Sequence, residues 1–98
     1  MNTLNTLVLE ERRLAILALL ADSSGKEAGA PMLQLALNGM RYNVAVATVD
    51  GDLDWLRDAG LVVLRRLGGI YIAALTDRGL DVARGRTQVA GVATHLRG

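Results

Sequence analysis

A chain of 98 residues that is 51% apolar but has only three aromatic side chains and no cysteine must close a modest core from Leu, Val, Ile and Ala. Without cysteine it has no route to disulfides, thiolate zinc sites or thiol nucleophiles. The net charge of +1 selects no partner, although residues 1–30 carry three basic and four acidic groups, residues 31–60 two and four, and residues 61–98 six and two.

The longest apolar run, LAILALLA at 14–21, is far shorter than the roughly 20 residues of a membrane span. Glu10 and Glu11 stand where a secretory signal would be positive, so no membrane contact and a cytoplasmic location are expected. The chain reads as one domain over 1–98 with its core at about 7–86. MNTLNT (1–6) and TQVAGVATHLRG (87–98) lack periodicity and read as a loose arm and tail.

In chain order, Leu9, Ile16, Leu17 and Leu20, flanked by Leu14 and Leu19, predict a first helix with a broad apolar face from about Leu7 to Ala21. DSSGKEAG at 22–29 has the composition of a loop. Pro31 suits the first position of a second helix, which contains Leu33, Leu35, Ala36 and Leu37 and stops at Asn38–Gly39.

The third helix is expected to start near Asn43, whose side chain can cap it, and to end before Gly60. A turn of 100° per residue places Val46, Val49, Leu53 and Leu56 on one face, widened by Thr48 and Trp55. The opposite face holds Ala47, Asp50, Gly51, Asp54 and Asp58. Like charges at i,i+4 oppose helix formation, so the three aspartates need another explanation. Asp52 falls in the apolar arc and calls for an arginine, with Arg12 and Arg13 the two candidates.

LVVLRRLGGIYIAAL at 61–75 predicts a hairpin around Gly68–Gly69, setting Leu67 opposite Ile70, Arg66 opposite Tyr71 and Arg65 opposite Ile72. Arg65 and Arg66 then point to opposite faces. A fourth helix follows, with Thr76 as N-cap, Leu75 and Leu80 placed as a hydrophobic staple, Asp77 in the first turn and Gly85 at the end.

The expected fold is mainly α with a small β-hairpin, in the order helix-helix-helix-strand-strand-helix. Two segments, VDGDLDWLRDAGLVVL at 49–64 and ALTDRGLDVARG at 74–85, carry a resemblance to the winged helix-turn-helix family, in particular to bacterial regulators of the arsenic-repressor and multiple-antibiotic-resistance types. Together with RLAILALLA at 13–21 they are also similar to small winged-helix proteins of Mu-like transposable phages, over about residues 9–93.

The resemblance implies a homodimeric transcriptional regulator that places its third helix in the major groove of double-stranded DNA. The DNA-binding candidates it implies are Arg41, Tyr42, Asn43, Ala45, Ala47, Thr48, Gly51, Arg65 and Arg66. Relatives carry Ser, Thr, Arg or Lys around the positions held here by Ala45, Val46, Ala47 and Asp50, so this chain departs from the family where bases are read. Arg65 and Arg66 also suit a second role, as charges that keep an edge strand from pairing.

The alternative reading is an interaction adaptor that has lost groove reading and docks a basic protein through Asp50, Asp54 and Asp58. The leucine-rich first helix and apolar termini favour a homodimer built on them. No catalytic, cofactor or metal site is expected. Ser23 and Ser24 have no histidine nearby in sequence, His95 stands alone in the tail, and Gly68–Gly69 lacks the pattern of a phosphate loop.

Overall fold

The computed structural model describes residues 3–95. Its elements are α1 (Thr3–Asp22), β1 (Glu27–Gly29), α2 (Ala30–Gly39), α3 (Val46–Asp58), β2 (Val62–Leu67), β3 (Ile70–Leu75) and α4 (Asp77–Ala83). This is the expected mainly helical order with a β-hairpin wing, and it contains one strand that the sequence reading did not anticipate. Among the described residues no helix is long and apolar enough to cross a membrane.

The loose arm expected at 1–6 is corrected from residue 3 onward, because α1 begins at Thr3. No Gly or Pro interrupts residues 3–22, so once the amphipathic part is anchored the helix extends outward at little cost. Leu14, Ile16, Leu17 and Leu20 are buried as expected, whereas Leu9 and Leu19 of the expected apolar face are only half-buried.

The loop expected at 22–29 also needs correction. A short 3₁₀ turn over Ser24–Lys26 leads into β1, which pairs antiparallel with β3 and gives the strand order β1-β3-β2. Three residues are too few to show an alternating pattern, and only the long-range partner defines the strand.

In α2, Pro31 is the second helical residue rather than the first, with Gly29 at the N-cap. The N-cap of α3 is Ala45 and not Asn43. Asn43 lies two residues earlier in a left-handed conformation (φ 54°), in a turn whose next residue, Val44, is held by Asn38. The Asn38 side-chain carbonyl accepts from Val44 N (2.7 Å) and its amide donates to Val44 O (3.1 Å), where Gln34 also donates (3.2 Å).

The hairpin has the register predicted from its turn, from Val62↔Leu75 to Leu67↔Ile70. Gly68 and Gly69 take φ of 58° and 80°, the two positive values that a tight hairpin turn of matching twist needs. Thr76 caps α4, accepting from Gly79 N at 3.0 Å. Thr76 N in turn donates to Leu61 O (3.1 Å), which fastens the end of the wing to the residue just before β2.

Leu33, Leu37, Val49, Leu53, Leu56, Leu61, Val62 and Ala73 join the buried α1 side chains in the core, with Ala15, Ala30 and, from α4, Val82. The tail is not loose over the described part of 87–98. Val92 is buried, Ala93 N donates to Glu10 O (3.2 Å), and Arg13 donates from Nη1 to Gly91 O (2.9 Å) while lying over the Trp55 ring at 3.9 Å. These are backbone contacts and a cation–π stack, which leave no periodic trace in sequence. Residues 1–2 and 96–98 of the expected arm and tail lie outside the described residues.

Candidate nucleic-acid interface

The turn from Met40 to Ala45 presents α3. Arg41 is exposed and left-handed (φ 70°), a conformation costing about 1–2 kcal/mol for a residue with a Cβ. It is held there by Arg41 N to Asn38 O (3.0 Å), by Tyr42 N to Leu37 O (3.1 Å), and by the Asn38 clamp on Val44. Among the described residues, the Arg41 guanidinium has neither a hydrogen-bond nor an ion-pair partner. Tyr42 is half-buried, and burial, with Glu11 nearby, pushes its hydroxyl pKa above the ordinary tyrosine value.

Past the turn, Ala45, Ala47, Thr48 and Gly51 are all exposed. The leading half of α3 therefore shows solvent a nearly uncharged surface of small residues, from which a large neighbour can come close to the backbone. Asp50, beside it, is half-buried, and its Oδ1 is enclosed without a hydrogen-bond partner among the described residues.

The acidic stripe is only partly open. Asp54 accepts from the Tyr71 hydroxyl (2.6 Å) and lies 3.4 Å from Arg57 Nη1, while Arg57 Nε donates to Asp58 (3.2 Å). Arg66 stacks on the Tyr71 ring at 4.2 Å and donates to Gly69 O (3.0 Å). A chain of polar contacts thus runs from the wing through Tyr71 to the outer side of α3.

Arg65 is on the other face of the hairpin, paired with Glu27 at 3.3 Å. The nine DNA-binding candidates accordingly divide. Arg41, Tyr42, Asn43, Ala45, Ala47, Thr48 and Gly51 belong to the turn and the start of α3, Arg66 joins the α3 side through Tyr71, and Arg65 is apart.

Sequence reasoning missed Asn38, Gln34 and Tyr71. The placement of Tyr71 was implicit in its register opposite Arg66, whereas nothing in the sequence marked Asn38 as more than a helix stop. Among the described residues no group of His, Cys, Asp or Glu is arranged to hold a metal.

The chain matches no established family description and no solved structure. It is, however, 44% identical to the protein gp26 of Escherichia phage Mu over 89 residues, which is 91% of this chain and 92% of the phage protein. The chain belongs to the gp26 family. A gp26 alignment of that extent reaches into each of α1, α2 and α3, so the likeness is one of whole domains rather than of a shared motif.

Proposed function

We propose that this gp26 relative is a double-stranded DNA-binding protein, a phage-type transcriptional regulator that meets DNA with the leading half of α3, the turn before it and the α3 side of the wing. The observation that carries this reading is Arg41. It is an exposed cation with no partner among the described residues, held in a costly backbone conformation by the Asn38 clamp beside a bare helix start. Backbone strain of this kind concentrates where a side chain must be aimed. Arg41 and Arg66 supply phosphate contacts, Thr48 a polar contact, and Ala45 and Ala47 apolar contacts to thymine methyl groups. The adaptor reading finds less support, since Tyr71 and Arg57 already engage two of the three carboxylates it needs.

Gel-shift titrations at several salt concentrations test the proposal. Two phosphate contacts per protomer give a slope of log K against log salt of about −1.8 per protomer. Arg41→Ala and Arg66→Ala each flatten that slope by about 0.9 and weaken specific and random DNA alike. Asp50→Asn tightens binding by removing a repelled charge. A wild-type chain that binds no DNA even at low salt removes this reading, and loss of a basic protein partner on neutralising Asp50 and Asp54 replaces it with the adaptor.

A further inference from the structure

β3 reads IYIAAL, with no polar residue on either face except the tyrosine hydroxyl. An antiparallel strand with one face in water ordinarily alternates, and a continuous apolar run belongs to a strand covered on both sides. Here only one side is covered. Ala73 packs into the core, whereas the rungs Val63↔Ala74, Arg65↔Ile72 and Leu67↔Ile70 face outward, with Leu67 62% exposed.

The apolar surface continues past the sheet. An added Cβ at Gly29 would lie within 4 Å of Ile70, Ile72 and Pro31 together, so the sheet face abuts the start of α2. Helical spacing carries it on from Pro31 to Leu35, with Met32 alongside, and these last two are 64% and 65% exposed. On a small domain such a surface is an interaction site.

The charges on this face indicate what covers it. Its middle holds one cation and one anion side by side, Arg65 and Glu27, both well exposed at 3.3 Å. A two-fold axis through that point sets each arginine against the other copy's glutamate, so the patch is complementary to itself. An exposed pair of this kind is worth little within one chain and can exchange partners readily.

We propose that the outer face of the sheet and the adjoining side of α2 form the interface between two copies of this chain, with Arg65 of each opposite Glu27 of the other. This differs from the dimer expected on α1, part of whose surface is already occupied by Val92 and Ala93. It also leaves the α3 side of the wing free, because Arg65 and Arg66 serve opposite faces.

Light scattering on the full chain tests the proposal without DNA. Wild type has the dimer mass at tens of micromolar. Arg65→Glu and Glu27→Arg, each checked by circular dichroism for an unchanged fold, are monomers separately, and an equimolar mixture of the two regains the dimer mass because opposite charges again face one another. Leu67→Glu is monomeric and Leu7→Glu remains a dimer. A monomeric wild type overturns the proposal, as does a dimer that survives Leu67→Glu or dissociates with Leu7→Glu, and so does a mixture of the charge variants that stays monomeric.

Discussion

Arg12 meets Asp52 through two hydrogen bonds, Nε to Oδ2 at 2.5 Å and Nη2 to Oδ1 at 2.9 Å, and so ties α1 to the middle of α3. Both side chains are largely withdrawn from water. Removing one partner strands the other's charge, so Asp52→Ala is expected to cost about 3–5 kcal/mol in urea unfolding, the range for breaking a buried pair. The double variant Arg12→Met with Asp52→Leu recovers most of that loss, since two apolar side chains need no solvation. The Asp52 bond raises the Arg12 pKa above its ordinary value, so the pair keeps its cation throughout the working pH range.

Two glycines in helices give opposite outcomes. At Gly51 an added Cβ meets nothing within 4 Å, and Gly51→Ala should stabilise the fold by about 0.5–1 kcal/mol. At Gly79 the same atom would fall 2.0 Å from Leu61 O, so Gly79→Ala must separate α4 from the backbone just before β2 and lower the melting temperature. Thermal denaturation of the two variants side by side reads both signs.

Arg41→Gly separates stability from function. Glycine takes φ of 70° without strain, so the variant should be unchanged in stability or stabilised by up to about 1 kcal/mol. On the DNA-binding reading, its affinity falls as far as that of Arg41→Ala. Stability lost together with affinity would mean that Arg41 serves the fold.

Deleting residues 87–98 should uncover Trp55. Val92 and the Arg13–Gly91 bond hold the tail against α1, and Gly91 is packed so closely under the indole that a Cβ there would lie 2.5 Å from Trp55 Cζ2. The single tryptophan reports this directly, through a red-shifted emission and an earlier unfolding midpoint.

Alkaline titration addresses Tyr42, whose folded pKa is raised by burial. A group of that kind binds its proton more tightly in the folded chain. Its contribution is complete below the unfolded tyrosine pKa of about 10 and disappears as pH rises through the higher folded value. Tyr42→Phe should flatten that part of the stability profile, as read by urea unfolding at a series of alkaline pH values.

The hairpin was legible because its turn is local: two adjacent glycines set the register, and register set the faces of Arg65 and Arg66. The exposure of Ala47 and Gly51 and the need of Asp52 for an arginine followed from helical angle alone. Choosing between Arg12 and Arg13 did not, since they differ by only 100° on α1 and the choice depends on how two helices cross. β1, the Asn38 clamp and the tail were hidden for the same reason. Each is defined by a partner distant in sequence or by a backbone group, and neither leaves a pattern in side-chain order.

The alternation of β2 limits how that strand can change in length. One residue inserted between Val62 and Arg65 would turn every following side chain to the other face, sending Arg65 towards α3 and Arg66 outward. Two residues inserted in β2, matched by two in β3, would restore the parity and lengthen only the wing. Relatives of this chain should therefore differ in β2 by even numbers of residues, and odd differences should be confined to the turn at Gly68–Gly69.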